Sequence, residues 1–463
     1  MYIEERDTIA AIATGMGNSG IGIVRISGPL SISVADKLFR GRKKVNEMNT
    51  YTAAYGHVVD REGEVIDETV LLLMKGPHTY TTEDTVELDC HGGSYVLKKV
   101  LERVVECGAR LAEPGEFTKR AFLGGRIDMS EAEAVMDVIN AESDMALRNS
   151  LGQLKGDLRE KIISLREKII YETAFIESAL DDPENYSLDG YKEKLTIIVD
   201  NLLESVDSMM TTCENGRLIK EGIRTAIVGR PNVGKSSILN MMLGETRAIV
   251  TDIEGTTRDT LEETASIGGI ILRLIDTAGI RDTVDTVEKI GVDKARENIG
   301  SADLILFIVD GASEVKDDDL AIINELHGKK VIALINKEDL PQKIDMDKLE
   351  SELSNVGCTD IISISAVEET GKELLYDRIR ELFFKGEIKV TDQIIITNER
   401  HKEALEMARI SLNRVKESIA DDMGEDFYTI DLMAAYESLG RIIGETLEDD
   451  LADKIFREFC MGK

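Results

Sequence analysis

The chain has 463 residues, and its 88 Asp and Glu residues against 56 Lys and Arg residues give a formal net charge of −32. At about 100–200 residues per domain, this length predicts roughly two to four domains and excludes a single small module. No apolar run approaches the ~20 residues that a membrane span needs, and the N-terminus lacks a basic region followed by an apolar core. These features predict a cytoplasmic protein with no membrane segment. Because nucleic-acid affinity comes largely from cations, an RNA partner would be held locally or handed over by another protein.

The five cysteines are scattered and never spaced as C-x-x-C, which argues against a disulfide framework and a structural zinc site.

Residues 1–124 mix short β-branched runs with helical stretches such as Tyr95 to Cys107. This mixture predicts an α+β domain.

A helical region follows over residues 125–220. Ser130 with Glu133 three residues later has the form of a capping box at a helix start. Leu and Ile residues spaced three and four apart from Leu147 to Ile169 predict one long amphipathic helix of a bundle.

The remaining residues, 221–463, first alternate between predicted strands and helices and then become helical again. Residues 221–384 alternate β-branched strands with helical segments, which predicts a parallel α/β sheet. Residues 385–463 are helical and too short to form a bundle alone. We therefore predict one helical domain, built from residues 125–220 and 385–463, with the α/β unit inserted between its halves.

The inserted unit opens with a phosphate-binding motif. Gly229-Arg-Pro-Asn-Val-Gly234-Lys235-Ser236 matches G-x-x-x-x-G-K-[ST] and lies between a predicted strand and helix, the context that identifies a P-loop. Backbone N–H groups of such a loop hold phosphates, Lys235 neutralises their oxygens, and Ser236 supplies a Mg²⁺ ligand.

Four further motifs specify a guanine nucleotide. Asp276-Thr-Ala-Gly279 can order the Mg²⁺ shell and sense a γ-phosphate, and Gly255-Thr-Thr-Arg-Asp259 offers a switch threonine. In Asn336-Lys-Glu-Asp339, Asp339 can accept two hydrogen bonds from guanine that adenine cannot offer, so GTP is predicted over ATP. With Ser365-Ala366 the motifs resemble a small GTPase domain. The predicted GTP-binding residues are Asn232, Val233, Gly234, Lys235, Ser236, Ser237, Thr251, Asp252, Ile253, Glu254, Gly255, Thr256, Thr257, Asp276, Thr277, Ala278, Gly279, Asn336, Lys337 and Asp339.

The residue after Gly279 departs from many GTPases. Ile280 stands where they have a glutamine that orients the attacking water, so catalysis requires another polar residue and another source of positive charge. Asn232 could bind a monovalent cation together with carbonyl groups around Thr251 and Ile253. Glu288 could orient the water, and a solvated helix-face glutamate is the alternative interpretation.

Four further segments, near the two ends of the chain, resemble segments of a known protein family. They are Ile21–Gly28, Thr82–Gly93, Pro114–Asp128 and Cys460–Lys463. Taken alone, Arg25, Glu87 and Arg126 are charged residues in ordinary strands and turns. Together with the helical insert and the Gly-Thr-Thr-Arg-Asp switch, these segments resemble the MnmE (TrmE) family of tRNA modification GTPases over essentially the whole chain.

The resemblance implies a multidomain α/β plus α fold, with an N-terminal α+β folate-binding-like domain, a discontinuous helical bundle and an inserted Ras-like P-loop G domain. It implies GTP hydrolysis activated by K⁺-dependent pairing of two G domains. The reaction served would add an aminomethyl or carboxymethylaminomethyl group to C5 of the wobble uridine of certain tRNAs. The implied assembly is a homodimer, formed through residues 1–124, that joins the FAD-dependent MnmG protein in a heterotetramer or larger complex.

The resemblance also implies site residues, including a site for 5-formyl- or 5,10-methylene-tetrahydrofolate. The implied folate contacts are Arg25, Glu87, Arg126 and Lys463. The implied ligands are Asn232, Thr251, Ile253 and Thr256 for K⁺, and Ser236 and Thr257 for Mg²⁺. Glu288 would be the catalytic glutamate. Cys460, three residues before Lys463, would have either a chemical role as a thiolate or a packing role.

Two other functions remain open at this point. One is a binding switch of the ribosome-assembly type, although such proteins usually carry a basic RNA-binding appendage and the appendages here are acidic or helical. The other is a folate one-carbon enzyme whose GTPase is only regulatory. Methylene transfer without any tRNA would favour the second.

Overall fold

The structure is a computed structural model, and it describes residues 7–15, 17–244, 263–267, 269–275, 299–384, 395–445, 455, 456, 459 and 462. The chain forms two compact units. The first comprises Met1–Met136, Gln153–Leu195 and Ile410–Lys463, and the second comprises Asp137–Gly152 and Thr196–Arg409. Each unit is therefore assembled from segments that lie far apart in the sequence.

The first unit contains a seven-stranded sheet within the described residues. Its strands are β1 (Ile9–Ile12), β2 (Ser19–Ser27), β3 (Phe39–Gly41), β4 (Thr52–Val59), β5 (Val65–Met74), β6 (Thr85–Gly92) and β7 (Arg110–Leu111). They pair in the order β3-β4-β5-β6-β2-β1-β7, and the pairs are antiparallel apart from β1 with β7. Alternate side chains of β5 point to one face, where Leu71 and Leu73 are fully buried.

Three helices belong to this α+β part, and a short 3₁₀ turn, Val45–Glu47, follows β3. The helices are α1 (Ser31–Leu38), α2 (Ser94–Glu106) and α3 (Glu116–Leu123). Leu97, Val100 and Val104 recur at helical spacing on α2 and are buried in one core with Leu71 and Leu88 of the sheet.

Further helices follow along the chain. They are α4 (Met129–Ile139), α5 (Asp144–Leu154), α6 (Asp157–Asp181), α7 (Tyr191–Glu221), α8 (Lys235–Leu243), α9 (Asp317–Asn324), α10 (Met346–Asn355), α11 (Lys372–Phe384), α12 (Glu399–Ala420) and α13 (Glu425–Ile443). In the first unit α6 packs against α13. A methyl group added at Gly440 would lie 3.1 Å from Arg166 Nη2, and the Arg166 guanidinium lies 3.9 Å from the Tyr436 ring centroid. The two helical segments therefore meet closely although the α/β part separates them in sequence.

Two local expectations for the helices were wrong. The single long helix is interrupted between α5 and α6, because Gly156 adopts φ +93°, a left-handed conformation outside helix geometry. The capping box lies two residues earlier than predicted. Glu131 N donates to Asp128 Oδ1 at 2.8 Å, and Asp128 N donates to Glu131 Oε2 at 2.7 Å.

The second unit contains a six-stranded sheet within the described residues. Its strands are β8 (Ile223–Val228), β9 (Glu263–Ile267), β10 (Ile270–Ile275), β11 (Leu304–Asp310), β12 (Val331–Asn336) and β13 (Asp360–Ser363). Their order is β13-β12-β11-β8-β10-β9, and the strands are parallel apart from the β9–β10 pair. The central strand β8 has β10 on one side and β11 on the other, so its carboxyl end is a switch point where α/β sheets bind ligands.

Candidate functional site

The P-loop leaves the carboxyl end of β8 and enters α8. Gly234 precedes the helix at φ +102°, and a methyl group there would lie 2.1 Å from the Asn336 side-chain nitrogen. Only glycine therefore allows this approach. Asn232, at φ +66°, also occupies the left-handed region, which asparagine tolerates better than most residues. Ser236 and Ser237 follow in the first turn of α8, at the positive end of the helix dipole.

Lys235 turns its ammonium group back toward the loop. Its Nζ donates to the carbonyl oxygens of Gly229 and Arg230, each at 2.8 Å. Burial lowers the pKa of Lys235, because desolvation disfavours the charged form. A phosphate at the loop would offset that cost by supplying negative charge.

The carboxyl end of β12 reaches the P-loop. Asn336 is buried, and its Nδ2 donates to the Val233 carbonyl oxygen at 2.8 Å. Lys337 Nζ lies 2.8 Å from Asp310 Oδ2 and donates to the Asn232 carbonyl oxygen at 3.2 Å. These contacts join the two motifs, which are distant in sequence, at one edge of the sheet.

The segment after β13 completes this edge. Ser365 Oγ donates to Asp339 Oδ1 at 2.6 Å, and Ala366 N donates to Asn336 Oδ1 at 3.3 Å. The hydroxyl thus orients the carboxylate that the sequence assigns to guanine. The structure therefore brings together the predicted residues at 232–237 with Asn336, Lys337 and Asp339.

One ion pair made by a P-loop residue was missed by the sequence analysis. Arg230 Nε lies 3.0 Å from Asp319 Oδ2, and the Asp319 side chain is fully buried at the start of α9. Arg230 also hydrogen bonds to Ser313 through Nη2. The run Asp317-Asp318-Asp319 was visible as acids at a helix start, but it did not indicate which carboxylate points inward.

Several predicted site residues lie outside the described residues. They are Thr251, Asp252, Ile253, Glu254, Gly255, Thr256, Thr257, Asp276, Thr277, Ala278, Gly279, Glu288, Cys460 and Lys463. Their predicted roles stay predictions.

A second cluster lies in the first unit, on β2 and β6. Arg25 and Glu87 are register partners on these strands, and Arg25 Nε donates to Glu87 Oε1 at 2.7 Å. Both side chains are mostly buried, and the Arg25 guanidinium lies 5.6 Å from the Phe117 ring centroid. Arg25 Nη1 also donates to the Gly462 carbonyl oxygen at 3.1 Å. The C-terminal end of the chain therefore reaches this cluster.

Tyr80 connects the two predicted arginines, and the sequence analysis missed it. The Arg126 guanidinium lies 4.8 Å from the Tyr80 ring centroid, and Arg126 Nη1 donates to the Tyr80 carbonyl oxygen at 3.0 Å. Arg25 lies 5.9 Å from the same centroid, and the Tyr80 hydroxyl hydrogen bonds to Thr118 Oγ1 at 2.8 Å. Burial raises the pKa of Tyr80, so the phenol stays neutral beside both cations.

Two family models and several known proteins match this chain over nearly its whole length. The family model described as "MnmE helical domain" matches residues 129–460, and the one described as "GTP-binding protein TrmE N-terminus" matches residues 8–126. A tRNA modification GTPase MnmE of Lachnoclostridium phytofermentans is 53% identical over 460 residues, covering 99% of each chain. One of Clostridioides difficile is 46% identical over 469 residues, covering 100% of each. The chain belongs to the MnmE (TrmE) family of tRNA modification GTPases.

Among solved structures, the G domain of FeoB from Methanococcus jannaschii is 26% identical with a TM-score of 0.26, covering 35% of this chain and 97% of that chain. Membership of the MnmE family confirms the predicted fold class and shows that the chain is a GTPase. Within the part of the chain that the structure describes, no helix has both the length and the apolar character that crossing a membrane requires.

Proposed function

We propose that this chain is the GTP-hydrolysing subunit of a complex that adds an aminomethyl or carboxymethylaminomethyl group to C5 of the tRNA wobble uridine. The observation that carries the proposal is the 45–53% identity to tRNA modification GTPases over 99–100% of both chains. The proposed assembly is a homodimer that joins the FAD-dependent MnmG protein. We propose domain boundaries of 1–124, 125–220, 221–384 and 385–463.

The sheet edge that carries the P-loop, Asn336 and Asp339, here called the nucleotide edge, supports GTP binding. Lys235 would exchange its two carbonyl acceptors for phosphate oxygens, and the first N–H groups of α8 would donate to the same phosphates. Ser236, with Thr257, would hold Mg²⁺, which neutralises charge on the transferred phosphoryl group. Asp339, oriented by Ser365, would accept the guanine N–H groups.

Hydrolysis in this chain requires a substitute for the missing glutamine at position 280. We propose that K⁺ is held by the Asn232 side chain with Thr251, Ile253 and Thr256, and that it supplies positive charge beside the phosphates. Membership of the MnmE family supports this role. Glu288 would orient the attacking water, and pairing of two G domains would complete the site.

The cluster on β2 and β6 suits a tetrahydrofolate. Its donor set fits the ligand, because Glu87 can accept from pterin N–H groups while Arg25 and Arg126 can bind the acidic glutamate tail. Lys463 follows Gly462, whose carbonyl oxygen already contacts Arg25. The bound folate would supply a one-carbon unit. Cys460 would act there either as a thiolate or only in packing.

Mass spectrometry of wobble uridines in cells lacking this chain tests the proposal. The modified nucleoside should disappear, and the wild-type chain should restore it. Lys235→Ala should fail to restore it, because the P-loop loses its cation, whereas Lys348→Ala changes an exposed lysine of the same unit and should restore it. An unchanged wobble uridine in the deleted cells would contradict the proposal.

A further inference from the structure

The turn after β3 carries three consecutive cations, Arg42, Lys43 and Lys44, all exposed. We propose that this basic turn binds the phosphate backbone of the tRNA that the family modifies. The inference rests on the proposed function for its choice of RNA. It adds a surface of the first unit as the place where this acidic chain contacts the polyanion.

The side chains of the basic turn have no partner among the described residues. In the part of the chain that the structure describes, Arg42, Lys43 and Lys44 form no ion pair and no side-chain hydrogen bond. Two other cations of the same unit are paired, since Arg61 Nε lies 3.0 Å from Glu106 and Lys99 Nζ lies 2.9 Å from Glu102. A chain with 88 acids and 56 bases therefore has three adjacent cations without an ion-pair partner among the described residues.

Two further cations, Lys37 and Arg40, precede the basic turn in the sequence and have contacts within the fold. Lys37 Nζ donates to the Cys107 carbonyl oxygen at 2.8 Å, just beyond the end of α2. Arg40 Nη1 donates to the Asp36 carbonyl oxygen at 3.3 Å, near the end of α1. Both contacts suit cations at helix C-termini, so they explain these two residues without a ligand. No such contact explains the basic turn itself within the described residues.

The fold holds the basic turn in place at both ends. Phe39 before it and Val45 after it are buried, at 4% and 1% exposure. Asp36 Oδ1 accepts a hydrogen bond from Val45 N at 2.8 Å, which fixes the exit of the turn. The three cations are therefore presented from an ordered base, and binding would cost side-chain freedom but little backbone entropy.

Phosphates of RNA suit this surface better than a lipid membrane does. A basic segment that lies on a membrane usually inserts apolar side chains beside its cations. The apolar residues next to this turn, Phe39 and Val45, point into the core instead. Three consecutive residues span about 7–10 Å, enough to reach neighbouring phosphates of one strand.

The test measures tRNA binding by the full chain, alone and with its partner proteins, between 50 and 200 mM salt. The test variant carries Arg42→Gln, Lys43→Gln and Lys44→Gln. The control variant carries Lys155→Gln, Lys161→Gln and Lys168→Gln, which removes the same charge from exposed positions of the same unit. Each lost phosphate contact removes about 0.7–0.9 from the slope of log K against log salt. The test variant should therefore bind tRNA roughly 10²-fold more weakly at 0.1 M salt, with a slope shallower by about 2–3.

Unchanged binding, or an equal loss in the control variant, would overturn the inference. Loss of binding to anionic phospholipid vesicles without loss of tRNA binding would assign the turn to a membrane and would overturn it too. The GTPase rate without tRNA and the unfolding midpoint should match the wild type, which excludes misfolding. If deletion of the chain abolishes wobble modification while the test variant restores it and binds tRNA normally, this inference fails and the proposed function stands. If deletion leaves the uridines unchanged, the proposed function itself fails.

Discussion

Asp339→Asn tests the assignment of the guanine site most directly. Ser365 Oγ donates to Asp339 Oδ1 at 2.6 Å, which leaves the carboxylate able to accept the two guanine N–H donors. Hydrogen bonds to a charged group contribute about 1.5–3 kcal/mol each, so losing two should cost ~3–6 kcal/mol. That loss corresponds to a GTP affinity roughly 10²–10⁴-fold lower.

The same substitution should create a new preference. Xanthine has a carbonyl where guanine has its amino group, and an asparagine amide can donate to that carbonyl. Displacement of a fluorescent guanine nucleotide should therefore show weak GDP binding and improved xanthosine diphosphate binding in Asp339→Asn. Asp318→Asn makes the same chemical change at an exposed site on α9 and should leave both affinities unchanged. An Asp339→Asn chain that still prefers GDP as strongly as the wild type would refute the assignment.

Three further predictions address hydrolysis, folate and acid stability. Hydrolysis should be faster in K⁺ than in Na⁺ at equal ionic strength, and Glu288→Ala should lower the rate ~10²–10³-fold; equal rates in both salts would remove the cation from the mechanism. Titration calorimetry with 5-formyltetrahydrofolate should show binding that Glu87→Ala weakens, and undiminished affinity would place the ligand elsewhere. Burial alone would raise the pKa of Glu116, but hydrogen bonds from Arg110 and Arg120 outweigh it and lower the pKa. This carboxylate therefore adds stability above its unfolded pKa of about 4.3 that is lost as the pH falls through the lower folded value. Urea unfolding of Glu116→Gln should show a loss of about 2 kcal/mol at pH 7 that shrinks toward pH 3, and a constant difference across that range would count against the ion pairs.

The nucleotide edge was predictable because each part is a short motif that follows a strand. Parallel strands end at one edge of the sheet, so the motifs after β8, β12 and β13 had to approach one another. The Arg230–Asp319 pair was not predictable in this way. It depends on which of three consecutive aspartates faces inward, and only the packing of α9 decides that.

The cluster on β2 and β6 was likewise only partly predictable from the sequence. Arg25 and Glu87 were named from a resemblance, and their contact follows from the register of β2 with β6, which no local pattern fixes. Tyr80 lies in the loop before β6 and gave no signal in the sequence. The start of α4 was misplaced because Asp128 and Ser130 both have the chemistry of a helix cap, and only the backbone geometry selects Asp128.

The contacts of Arg25 bear on how an anionic ligand could enter its cluster. Glu87 occupies Nε and the Gly462 carbonyl oxygen occupies Nη1, while a guanidinium offers five N–H donors in a fixed plane. A ligand carboxylate can therefore bind the remaining donors without displacing Glu87, whose negative charge holds the arginine in place. One N–H of Nη1 and both N–H groups of Nη2 remain, so a ligand can contact both terminal nitrogens while the Gly462 carbonyl oxygen stays bound. Ligand binding at Arg25 would then be coupled to the position of the C-terminal residues, because the ligand and the Gly462 carbonyl oxygen would bind side by side on the same guanidinium.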